Sequence, residues 1–323
     1  MNAMLKNIKL DTATKICMIV LATFIVLVVV LPFLWPYSYD TMLGLQSGAS
    51  MDASYNNLAP LQYGATEKAM IERGEHVIPH LFGTDSAGRD YFIRVIYGAR
   101  ISLAVGLIAS TLVVIIGVTF GTISGYYGGV IDSIIMRLVD IIYSLPDMLL
   151  VILLAMVFRE TLIPPSGILS KIGENTLGLF AVFALFHWCS IARLIRGQVM
   201  ELREQEFVIA AKVLGARSRR IITRHILPNC ASVICVSAAL QVPKAIFTES
   251  YLSFVGLGIN APIPSLGSLI YESMNGITSY PHRLIIPAIF ISAIVLLFNM
   301  IGDGLRDAFD PRQYPKKRKK VIQ

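Results

Sequence analysis

Lys244 and Glu249, in the stretch QVPKAIFTESYLSF, carry ionisable groups inside a long apolar segment. A charge in hydrocarbon is costly, so such residues face a partner or a wet cavity and mark functional sites by default. Five residues apart on a helix, they lie about 140° apart around its axis, which makes a direct pair awkward and gives each its own neighbour. Two readings stay open for both: a buried anchor to another helix, or a position beside a solute path. Asp147, after Pro146, and His187, beside Trp188, are weaker cases of the same kind.

Other groups that could do chemistry are not arranged for it. DSAGRD, Asp85 to Asp90, opens like a calcium loop, but its third and fifth positions are Ala87 and Arg89, which offer no side-chain ligand oxygen. GDGLRD at Gly302 lacks the last glycine of a dinucleotide fingerprint and follows an apolar segment, not a strand. GxxxxGKS/T, HExxH and GxSxG do not occur. Cys17, Cys189, Cys230 and Cys235 fall in apolar segments at spacings that suit neither a disulfide scaffold nor zinc. No catalytic residue, metal or cofactor is therefore expected, and a pathway fits better than a reaction.

The elements that position these residues are membrane spans. Of 323 residues 55% are hydrophobic and 15% charged, well below the roughly 25% charge of soluble domains. Crossing about 30 Å of hydrocarbon takes about 20 apolar residues. Six stretches qualify: Ile16–Trp35, Ile101–Ile123, Leu138–Phe158, Leu177–Leu194, Ile226–Leu257 and Leu284–Ile301. The first is read as a retained span, because it ends in LPFLWPYSY instead of a small-residue cleavage site. The net charge of +7 does not indicate nucleic acid, since the basic residues bracket apolar runs. Lys6, Lys9 and Lys15, the 8 Lys and Arg residues from Arg193 to Arg224, and KKRKK at Lys316 to Lys320 fall on one side if six spans are counted. By the positive-inside rule that side is the cytoplasm, and both termini lie there.

The expected organisation is an all-α membrane protein. Residues 1–35 hold the N-terminus and first span, and 36–96 an extracytoplasmic loop. Residues 97–306 form a five-helix core with a cytoplasmic loop at 198–226, and 307–323 a basic tail. Within the core, Gly117, Gly121 and Gly125 make a small-residue ridge for close helix packing. In FGTDSAGRD, Asp85, Ser86 and Asp90 suit the capping of a short interfacial helix carrying Tyr91, Phe92 and Tyr97; contact with another protein is the alternative.

The loop MELREQEFVIAAKVLGA has an amphipathic pattern, with Phe207, Ala210, Ala211 and Leu214 at i, i+3, i+4, i+7 and Glu201, Arg203, Glu204 and Lys212 on other faces. Gly215 suits a helix stop, and a second basic helix is expected over Arg217–Arg224. The stripe is small and narrow, which favours docking on protein over burial in lipid.

AAKVLGARSRRIITRHILPN resembles the cytoplasmic signature loop of binding-protein-dependent ABC transporter permeases, with Ile209 where the general signature has Glu. HLFGTDSAGRDYFIRVIYGARISL and TESYLSFVGLGINAPIPSLG are similar to the C-type permease subunit of oligopeptide, dipeptide and nickel importers, with Leu266 where many relatives have Trp. The resemblance implies a type I ABC importer bundle in a prokaryotic plasma membrane. It implies coupling to an ATPase through Glu204, Glu206, Phe207, Ala210, Ala211, Lys212, Leu214, Gly215 and Ala216. It also implies four partners, a homologous B-type permease subunit, two ABC ATPase subunits that hydrolyse ATP, and an extracytoplasmic substrate-binding protein for which Asp85, Arg89 and Asp90 are contact candidates. Peptides are the expected solute. Nickel or another small solute on the same machinery, or an ion-coupled secondary transporter, are the alternatives.

Overall fold

A computed structural model describes residues 10–45, 52–161, 174–259 and 263–309. Lys6, Lys9 and the basic tail lie outside the described residues. The helices are α1 (Thr12–Leu34), α2 (Ala65–Glu72), α3 (Tyr91–Tyr127), α4 (Gly129–Tyr143), α5 (Asp147–Thr161), α6 (Glu174–Phe186), α7 (Trp188–Arg203), α8 (Glu206–Val213), α9 (Ser218–Ile221), α10 (Ala231–Phe254), α11 (Leu266–Ser273) and α12 (His282–Phe309). Among the described residues, the β pairing is a single isolated bridge between Thr84 and Asp90.

Five helical runs are long and apolar enough to cross a bilayer: α1, α3, the run Gly178–Arg203, α10 and α12. A sixth crossing exists if α4 and α5 are one span bent by 93°. The third span is thus not the straight helix expected over Leu138–Phe158. Pro146 lacks an N–H and disfavours helical geometry at Leu145, which breaks the ladder there.

The short interfacial helix expected around Tyr91, Phe92 and Tyr97 is corrected by α3, which runs unbroken for 37 residues from Tyr91. Asp90 caps it by accepting the Ile93 N–H at 2.9 Å, and no proline interrupts it. At roughly 1.5 Å per residue it is about 55 Å long, well beyond the hydrocarbon thickness. The expected fifth span also changes at its start. Ser218–Ile221 leads into a π-helical turn, Ile222–Ile226, before α10 begins.

Packing divides along α3. Its first half joins α1, α11 and α12 in a core containing Val95, Ala99, Leu103, Ile246, Leu266 and Ile294. Its second half lies on α7, in a core of Val113, Ile191, Ala192, Ile195 and Val199. The glycine ridge explains that second contact. A Cβ on Gly117 would sit 2.7 Å from that of Ile191, on Gly121 2.6 Å from the Ala192 carbonyl, and on Gly125 2.7 Å from the Arg196 carbonyl. Only glycine lets the two backbones come this near. Beside this seam Arg196 holds Asp132 of α4 through Nε at 2.5 Å and Nη2 at 2.6 Å, and Ser124 bonds the same carboxylate.

Candidate functional site

Two ends of α3 hold the residues singled out above. At its C-terminal end, Arg203 donates to the Gly125 and Tyr126 carbonyls at 3.2 and 3.3 Å, satisfying orphan acceptors where the helix stops. The chain turns at Glu204, exposed and 3.7 Å from Arg203, and Glu206 opens α8. Val208 is fully buried and pins α8 to the bundle, with Ala211 and Ala216 packed partly against the same core. Lys212 lies 5.5 Å over the Tyr126 ring.

The rest of α8 faces outward. Phe207 is 41% exposed, Val213 81% and Leu214 86%, with Ala210 also on the surface. The end of the helix is fixed by its hydrogen bonds. Gly215, at φ +78°, donates to the Lys212 carbonyl at 3.0 Å, and Ala216 donates to that of Ala211 at 3.0 Å. This is the Schellman arrangement, whose left-handed residue favours glycine. The result is a short helix held rigidly from behind, with large apolar side chains left in the open. Val208 and Tyr126 escaped the sequence reading, and Arg203 figured there only as a residue off the apolar stripe, with no partner assigned.

At the other end, the cap (described residues 36–45 and 52–90) closes on α3, α11 and α12. Arg94, fully buried, donates through Nη1 to Asp85 at 2.5 Å and to Glu272 of α11 at 2.8 Å. Asp85 also accepts from the backbone N–H groups of Ala87 (2.8 Å) and Arg89 (2.9 Å) and from Arg89 Nε (2.7 Å). Arg283 of α12 donates to Asn57 Oδ1 at 2.8 Å and the Thr84 carbonyl at 2.6 Å. His80 bridges two acids, Asp90 at 2.7 Å and Glu67 at 3.0 Å. Burial opposes the charged ring, but these two bonds outweigh it and raise the His80 pKa from 6.5 to about 9. Burial and the nearby Glu67 and Asp90 charges push Tyr37 up to about 12.

This geometry corrects the expectation for Asp85 and Asp90. Both are buried and bonded within the chain, so neither offers an open face to another protein. Arg89 too is turned inward, against Asp85 and, at 3.6 Å, Glu272. Their partners Arg94, His80 and Glu272, and Glu67 behind His80, were missed because a charge pattern along the chain does not show which groups meet on folding.

Lys244 and Glu249 part company, as their angular separation on α10 requires. Glu249 is fully buried and accepts from Ser102 of α3 at 2.9 Å and from Ser253 at 2.8 Å. Ser102 in turn accepts from the Leu266 N–H at 3.2 Å, and Ser253 from the Ser265 hydroxyl at 3.3 Å. Glu249 thus joins α3, α10 and the start of α11. Lys244 is exposed and lines a cavity on another side of α10. The Asp147 side chain lies outside the described residues.

The glycine-ridged bundle, carrying an outward helix at one end, matches a known family over residues 117–314, described as the binding-protein-dependent transport system inner membrane component. The chain belongs to that family, and so is a multi-pass component of a prokaryotic plasma membrane. The oligopeptide transport system permease protein OppC of Bacillus subtilis (strain 168) is 44% identical over 72% of this chain and 72% of its own. OppC of Haemophilus influenzae is 38% identical over 94% of this chain and 85% of its own. Among solved structures, a chain of the MetNI methionine ABC transporter in inward facing conformations superposes with a TM-score of 0.52, at 19% identity, over 68% of this chain and 98% of its own. The fold is therefore that of a type I ABC importer permease.

Proposed function

We propose that this chain is the C-type permease subunit of an ATP-driven importer that carries oligopeptides or dipeptides into the cytoplasm. The observation that carries this reading is α8, a helix pinned by Val208 that leaves Phe207, Val213 and Leu214 bare in a chain whose relatives are named as oligopeptide and dipeptide permeases. Exposed large apolar side chains on a braced polar loop mark a protein contact. In this reading the bare face seats in an ATPase subunit, and ATP is hydrolysed there. The basic residues from Arg193 to Arg224 set this end in the cytoplasm together with both termini.

A B-type permease subunit completes the pathway, a second ATPase subunit completes the motor, and an extracytoplasmic binding protein delivers the solute to the opposite end. Closing the ATPase pair pushes α8. Because α8 is tied to α3 and α7 through Arg203, Lys212 and Val208, the push turns the bundle as a body and opens the path to alternate sides.

The test is uptake of labelled di- to hexapeptides by cells with and without the gene. Loss of uptake that returns on complementation supports the reading. Normal peptide uptake in the deletion strain, with loss of another solute, overturns the peptide assignment.

A further inference from the structure

Two helical runs lose backbone hydrogen bonds at prolines around one cavity. α4 passes to α5 through the 93° bend at Ser144–Pro146. α6 runs on into α7 through His187, whose N–H keeps the helical bond to the Phe183 carbonyl at 3.2 Å. Pro243, inside α10, has no N–H to give. Leu145 and Lys244, next to these two interruptions, line a single cavity of about 220 Å³ with Tyr143, His187, Ser190 and Gln241, beside the apolar Ile142, Leu150 and Phe186. At membrane depth, non-helical backbone persists where it is buried in protein or lines a wet cavity. Broken helices around a polar cavity are also how transporters build solute sites. The volume holds roughly seven waters at ~30 Å³ each.

Among the described residues that line this space, the charged one is Lys244. Among the described residues, no carboxylate lies within ion-pairing distance of its ammonium. Arg193, close by on α7, is already held by Asp140 at 2.6 Å and lies over the Tyr143 ring at 4.3 Å. Gln241 and Tyr143, residue types that carry neutral donors, line the same cavity. A cation on a flexible four-carbon stem, backed by hydrogen-bond donors, suits a carboxylate and is indifferent to the group that carries it.

We propose that this cavity is a carboxylate subsite in the solute path, in which Lys244, helped by Gln241 and Tyr143, holds the C-terminal carboxylate of a peptide in transit. The proposal rests on the peptide reading and adds to it the one group that every linear peptide shares. A single mobile contact grips the terminus without reading the side chains, and releases it again.

The test uses the complete reconstituted transporter and one labelled tripeptide, supplied as the free acid and as the C-terminal amide. Lys244→Gln is expected to lower the maximal uptake rate of the acid about tenfold, the size of one charge-assisted contact. The amide rate and both half-saturation concentrations should stay as in the wild type, and Lys244→Arg should restore most of the acid rate. An equal fall for acid and amide, or no fall for either, overturns the subsite.

A second measurement needs no peptide. In the full transporter, with the four native cysteines of this chain replaced, Ser190→Cys is labelled with an anionic and a cationic methanethiosulfonate. The anionic reagent is expected to react several-fold faster, and Lys244→Gln to abolish the preference. A ratio untouched by Lys244→Gln overturns an anion-attracting cavity, whatever the solute. If the wild type moves neither acid nor amide, the peptide reading fails and this labelling ratio alone decides on the subsite.

Discussion

The two ends of α3 are both rich in charge, and they use it in opposite ways. At the cap, Arg94, Asp85, His80, Asp90 and Glu67 are buried and bonded to one another. At the α8 end the basic residues Lys212, Arg217, Arg219, Arg220 and Arg224 stay on the surface, alongside Val213 and Leu214. Buried charge survives only when paired, so the cap is a structure complete in itself. The α8 end is complete only on its inner side, where Val208, Ile221 and Ile226 anchor it. The contrast teaches where the partner belongs: not where charges are dense, but where apolar groups remain uncovered on a braced scaffold.

The largest test of that contrast is Arg94→Ala. Removing the fully buried cation of this cluster leaves Asp85 with Arg89 as its remaining charge partner, at a cost of up to about 3–5 kcal/mol. The purified variant should show a sharp loss of folded protein in a thermal melt; an unchanged melt would mean that the cap does not depend on its charges. Gly215→Val acts at the other end. A β-branched residue resists φ +78°, and the left-handed backbone costs it roughly 1–2 kcal/mol. The loop should fray while the bundle stays folded, and peptide-stimulated ATPase activity of the assembled transporter should fall about tenfold or more. Full coupling would remove α8 from the transmission path.

A smaller effect comes from pH. Because the folded pKa of His80 is raised to about 9, its contribution to stability is complete below about pH 6.5 and is lost as pH rises through about 9. The gap in thermal midpoint between wild type and His80→Gln should therefore be widest near pH 6 and narrow by pH 10. A gap independent of pH would show that the ring acts by shape alone. Smallest is Lys212→Ala, where loss of an exposed cation–π contact costs about 0.5 kcal/mol. Melting should barely change, and a large drop would mean that the α8 end is held by charge after all.

Much of this was legible in the sequence, for physical reasons. Length and hydropathy mark a span wherever the apolar run is unbroken, as in α1 and α12. They fail at the start of α3, where Arg94 and Arg100 make YFIRVIYGAR look like loop, because the partners that admit Arg94 to the interior, Asp85 and Glu272, are remote in sequence. They fail also at α11, whose eight residues are too few to register as a span although its serine-capped start is buried against α3 and α10. The loop around Gly215 was readable because a helix stop is written locally. The serine shell of Glu249 was not, since Ser102 and Ser265 come from different helices. The cavity at Lys244 was hidden for the same reason: two separate proline interruptions meet only after folding.

Pro32, Pro243 and Pro287 lie inside α1, α10 and α12, and the third crossing is broken at Ser144–Pro146. α3 has neither defect. It is the stiff spoke among jointed neighbours, with the ion-laced cap soldered to one tip and the α8 elbow to the other. Spin labels set at those two tips should report one fixed separation through the whole ATP cycle, while distances from either tip to α10 change.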